Sequence, residues 1–144
     1  MRGNEKVRRI MVGAMALVGA AGIVLLRVND PATSGVFPPC PLHYLTGLYC
    51  PGCGSLRAIH HLLHGDWRDA WAMNPFTCLL LPFVAYGFVS EALLQLRGRG
   101  LPQPVLPAAT IRALCAAIVL FGVLRNLPFH PFDWLAPGAM LRLY

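Results

Sequence analysis

"IMVGAMALVGAAGIVLL", Ile10 to Leu26, is a run of 17 residues without a charge. A helix rises about 1.5 Å per residue, so ~17–25 apolar residues cross the ~30 Å hydrocarbon core of a bilayer. Two comparable runs follow, "PFTCLLLPFVAYGFVSEALLQL" from Pro75 to Leu96 and "AATIRALCAAIVLFGVLRNL" from Ala108 to Leu127. Three such runs in 144 residues leave too little polar surface to cover them as core helices of a soluble domain. Composition agrees: 56% of residues are hydrophobic and 12% charged, against about 25% charged in soluble chains. The expected fold is an all-α integral membrane protein. Three transmembrane helices carry an extracytoplasmic cysteine-rich loop and a short interfacial helical hairpin.

The net charge of +6 points to topology rather than to nucleic acid. The basic residues form no stripe interleaved with aromatics, as a phosphate-binding face would; they cluster beside the apolar runs. "MRGNEKVRR" opens the chain with four positive residues against one acid, and "RGRG" lies at 97–100. Cytoplasmic segments carry the arginine and lysine excess. The expected order is a cytoplasmic tail (1–9), span one (10–26), an outer segment (27–74), span two (75–96), a cytoplasmic loop (97–107), span three (108–127) and an outer interfacial tail (128–144). A cleavable export signal is the competing reading of the first run, and it exports the same outer segment. Pro82 falls inside the second run, where it removes a backbone donor and predicts a kink.

The outer segment changes character along its length. From Val36 to Pro51, prolines and Gly47 interrupt any long helix. From Ser55 to His64, Leu56, Ile59, Leu62 and Leu63 recur at helical spacing, with Arg57, His60, His61 and His64 on the other side. Gly65 is placed to end that helix and Asp66 to open a second, "WRDAWAMN", closed by Pro75. Trp67 and Trp71 suit the headgroup level of a membrane.

Three of the five cysteines and four of the five histidines lie in "CPLHYLTGLYCPGCGSLRAIHHLLHG", residues 40–65. With "DWRDAWAMNP" after it, this stretch resembles the signature of a widespread family of small bacterial membrane proteins of unknown function. The matching positions are Cys40, Pro41, Thr46, Gly47, Cys50, Pro51, Cys53, Gly54, Arg57, Asn74 and Pro75. The resemblance implies a multi-pass protein of the bacterial cytoplasmic membrane. It brings no activity with it, and its pattern requires no histidine at position 43.

Three chemistries fit the cysteines. Cys40-x-x-His43 and Cys50-x-x-Cys53 form two short pairs separated by six residues, the spacing of a compact tetrahedral zinc site. His60 and His64 are substitute ligands on the following helix, or part of a solvated face. Cys50-Pro-Gly-Cys53 also has C-x-x-C spacing at a helix start, where a thiolate is stabilised. A membrane thiol–disulfide oxidoreductase using Cys50 and Cys53 is the catalytic alternative, with Cys78 near enough to take part and Cys115 not. A disulfide from Cys40 to Cys50 or Cys53 would staple the same loop. A structural clip, metal or disulfide, is the expected outcome. The corresponding role is a non-catalytic envelope scaffold or accessory subunit. Its expected partners are the lipid bilayer and another small membrane protein.

Overall fold

The computed structural model describes residues 2–102 and 105–139. The last five positions of the expected outer tail, with Tyr144, lie outside the described residues, as does Pro104. Those described are helical, with no strand among them: α1 (Arg2–Val28), α2 (Pro41–Thr46), α3 (Ser55–His64), α4 (Trp67–Met73), α5 (Pro75–Arg97), α6 (Ala108–Leu124) and a 3-10 turn at Phe132–Leu135. Two helical stretches, Lys6–Val28 and Pro75–Arg97, are long and apolar enough to cross a membrane by length and composition. The third apolar helix, α6, is shorter at 17 residues. It stops before the end of its apolar run because Arg125 takes the C-cap position and its side chain turns onto the cysteine segment. Helix α5 continues through Pro82.

The chain divides into two compact units. One comprises Met1–Leu25 and Leu81–Val105 and contains most of α1 and α5. There the chain after α5 folds back along the helix. Ser90 Oγ and the backbone of Leu101 bond in both directions, and Tyr86 Oη donates to the Pro102 carbonyl at 2.6 Å. The segment expected as a loop beyond the helix end therefore begins by lying against α5. Two hydroxyls satisfy backbone groups that no helix partner meets.

The second unit, Leu26–Leu80 and Leu106–Tyr144, holds the cysteines and every buried apolar residue among those described: Cys53, Ala58, Ala70, Ala72 and Met73. Three of them are alanines, and α3 and α4 pack against one another through small side chains. Gly65 closes α3 in the left-handed region (φ 86°), as its place in the sequence predicts. Asp66 holds the N-cap position of α4, but its carboxylate makes no capping bond. Gly54 is confined on two counts. Its φ is +85°, and a Cβ there would lie 2.6 Å from the Met73 carbonyl oxygen. Phe76 and Phe121 stack with centroids 5.3 Å apart, joining the start of α5 to the end of α6.

Candidate metal centre

Each cysteine is placed by a distinct local device. Cys40 is the N-cap of α2, with Pro41 in the first turn, where a missing N–H costs nothing. Helix α2 ends after six residues at Gly47, whose φ of 74° turns the chain back. Thr46 secures the reversal by donating to the Leu42 carbonyl and accepting from the Leu48 amide. Tyr49 is then held on both sides of its peptide by Asn126, at 2.7 and 2.8 Å. The Cys50–Cys53 turn closes through the Cys53 amide to the Cys50 carbonyl at 3.0 Å, and the Cys50 amide points at the Cys53 sulfur at 3.3 Å. The sulfurs converge. Cys50 Sγ lies 3.4 Å from Cys40 Sγ and 3.2 Å from Cys53 Sγ, and all three lie within 4.8 Å of one another. That is close enough for them to hold one metal ion, and zinc is compatible with the donor set.

The remaining sequence candidates sit elsewhere. His43 is not brought into the sulfur trio. Its Nδ1 lies 3.1 Å from the Gly47 carbonyl and its ring stacks on Tyr49 at 4.5 Å, because the last turn of α2 points it along the reversal. His60 Nδ1 meets the Leu26 carbonyl, and His64 Nδ1 meets that of His60, so both serve helix ends. Cys78 is half-buried on α5, Cys115 is exposed on α6, and no cysteine forms a disulfide.

The electrostatics are uneven across the trio. The His43 backbone amide, helped by the thiols of Cys50 and Cys53, holds Cys40 down to about 7. Burial pushes Cys53 up to about 12, and the neighbouring thiols add to the shift. Cys40 is therefore largely ready to ionise at neutral pH, whereas Cys53 needs a cation to do so.

Sequence reasoning missed the residue behind the turn. Arg125 is 1% exposed. Its Nη1 donates to the Cys50 and Pro51 carbonyls at 3.0 and 3.1 Å, and its Nη2 to that of Cys53 at 3.0 Å. The guanidinium also lies 4.9 Å from the Phe121 ring centroid. No described carboxylate lies within ion-pair distance of it. Asn74, fully buried, donates to the Pro51 and Cys53 carbonyls from the opposite element, while its Oδ1 accepts the Thr77 amide and caps α5. Hydropathy treats Arg125 as the flank of an apolar run. The available signal was the Arg-Asn pair ending that run with no acidic residue nearby.

No curated protein and no solved structure matches this chain. A family model described as a protein of unknown function (DUF2752) matches residues 40–88, a stretch that contains all three converging cysteines and Asn74 but not Arg125.

Proposed function

We propose that Cys40, Cys50 and Cys53 form a structural zinc clip in a three-span membrane protein. The clip rigidifies an extracytoplasmic loop and presents it to a membrane partner, a non-catalytic scaffold role. The observation that carries this reading is the buried Arg125, which has carbonyl partners and no carboxylate partner among the described residues. A lone buried cation is costly unless an anion compensates it. One divalent ion with three thiolates carries a net charge of about −1, which cancels the guanidinium. Helices α1 and α5 support two of the spans by length, and α6, at 17 residues, meets the lower limit for a third. The arginine bias puts the clip on the outer side. The presented surface is α2, where Tyr44 and Leu45 are 78% and 79% exposed.

A second reading is favoured by the central place of the Cys50 sulfur. It could exchange a bridge between Cys53 and Cys40 with little movement, as a thiol–disulfide relay requires. One experiment separates the two. Purify the protein without added reductant, then measure zinc per chain and free thiols, beside Cys50→Ser. The clip predicts one zinc per chain in the parent and none in the variant. A zinc-free parent with a Cys50 disulfide that cycles with reductant is the relay's result.

A further inference from the structure

Helices α1 and α5 leave a cleft between them of about 700 Å³. Met11, Met15 and Gly19 line it from α1, and Val84, Ala85 and Phe88 from α5. Both helices are tied to α3 at one end, by His60 to the Leu26 carbonyl and by Ser55 to Thr77, so they run antiparallel. Arg8 on α1 therefore faces the same end of the cleft as Glu91 and Gln95 on α5. The Glu91 carboxylate is engaged there by Gln95 Nε2 at 2.6 Å. Arg8 Nε, by contrast, is buried without a hydrogen-bond partner.

Size and charge select the occupant. The lining from Arg8 to Ile23 covers 15 steps of α1, about 22 Å at the helical rise, against roughly 15 Å for one hydrocarbon leaflet. The volume lies within the ~300–1,000 Å³ of sites that hold small ligands. An apolar slot as long as a leaflet with its headgroup layer, ending at Arg8 with its unpartnered Nε, fits an acyl chain below an anionic headgroup. Arginine recognises phosphate through charge-assisted hydrogen bonds.

We infer that this cleft binds one anionic phospholipid, its phosphate on Arg8 and an acyl chain between α1 and α5. The inference does not depend on the metal clip. It is tested with the full chain, delipidated in detergent and titrated separately with phosphatidylglycerol and phosphatidylcholine, lipid retention being read by native mass spectrometry. One phosphatidylglycerol should be retained about tenfold more tightly than phosphatidylcholine, whose phosphate charge is already offset by its own choline cation, so that Arg8 adds less to its binding. Arg8→Gln should abolish that preference while keeping the weaker acyl binding. Gly19→Phe should lose both lipids; a Cβ at Gly19 meets nothing within 4 Å, so the ring fills the cleft without straining the helix. Equal retention of the two lipids by the parent would overturn the inference, as would unchanged retention in Gly19→Phe. A shift to a dimer that Gly19→Phe disrupts would identify a second copy as the occupant instead, and would equally overturn it. Zinc per chain, measured on the same samples, keeps failure here distinct from failure of the clip.

Discussion

Replacing Arg125 tests whether a buried cation underwrites the cysteine site. Three carbonyls accept from it, at 3.0–3.1 Å, but none would be orphaned by its loss. The Pro51 and Cys53 carbonyls also accept from Asn74, and that of Cys50 accepts the Cys53 amide. Hydrogen bonds to a charged group contribute about 1.5–3 kcal/mol each. Removing the guanidinium also removes its desolvation cost of several kcal/mol. Arg125→Met should therefore lower apo-protein stability by only about 2–4 kcal/mol. Its larger effect falls on the metal, whose three thiolates lose their compensating charge. Loss of an outer partner of a metal site costs about 10–100-fold in affinity, and Arg125→Met belongs at the upper end. Arg125→Lys keeps the charge but not the planar fork that reaches three carbonyls, so it should recover about half of that loss on a logarithmic scale. The assay is a competitive zinc titration against a chromophoric chelator in detergent. Zinc affinity within threefold of the parent in Arg125→Met would refute the charge argument.

Four further outcomes are expected. At pH 7, zinc binding should release at least about 1.5 protons from Cys40 and Cys53 together. Cys40, held at about 7, is half ionised and Cys53, at about 12, is fully protonated; calorimetry in buffers of different ionisation enthalpy reads the number, and release below one proton contradicts it. In reduced, metal-free protein, Cys40 should be alkylated with a midpoint near pH 7, its depressed thiol losing reactivity as pH falls through that value, whereas Cys53 stays protected well above it; peptide mapping after alkylation from pH 5 to 10 shows whether the order reverses. His43→Gln should weaken zinc by less than tenfold, since the ring is engaged by Gly47 and Tyr49; a loss beyond about 100-fold would make it a ligand. Gly54→Ala should cost about 3 kcal/mol or more and Gly65→Ala only about 1–2. Both have φ near 85°, but only at Gly54 does a Cβ meet backbone; equal thermal shifts would remove the clash from the account.

What was legible in the sequence was what short-range rules govern. Helix α3 begins at Ser55 and ends at His64, where its apolar spacing and Gly65 place it, and Gly47, expected to interrupt the helical path, ends α2 and turns the chain back. The meeting of Cys40, Cys50 and Cys53 follows from that reversal, because a left-handed residue at position 47 returns the chain over its own start. The supports of the site were hidden for a different reason. Arg125 and Asn126 reach back 72–77 residues to bond Tyr49, Cys50, Pro51 and Cys53. No periodicity encodes a contact at that separation, and hydropathy absorbed both residues into the apolar run from Ala108 to Leu127. The return of residues 98–102 along α5 was equally invisible. It depends on single hydroxyls, Ser90 and Tyr86, inside a run read for its apolarity alone.

Zinc-edge X-ray absorption on the protein as purified, without added metal or reductant, tests the clip most directly. A zinc clip gives one zinc per chain with three sulfur neighbours at about 2.3 Å and one lighter donor at about 2.0–2.1 Å. A sample containing no zinc, with Cys50 bridged to Cys40 or Cys53, would contradict it.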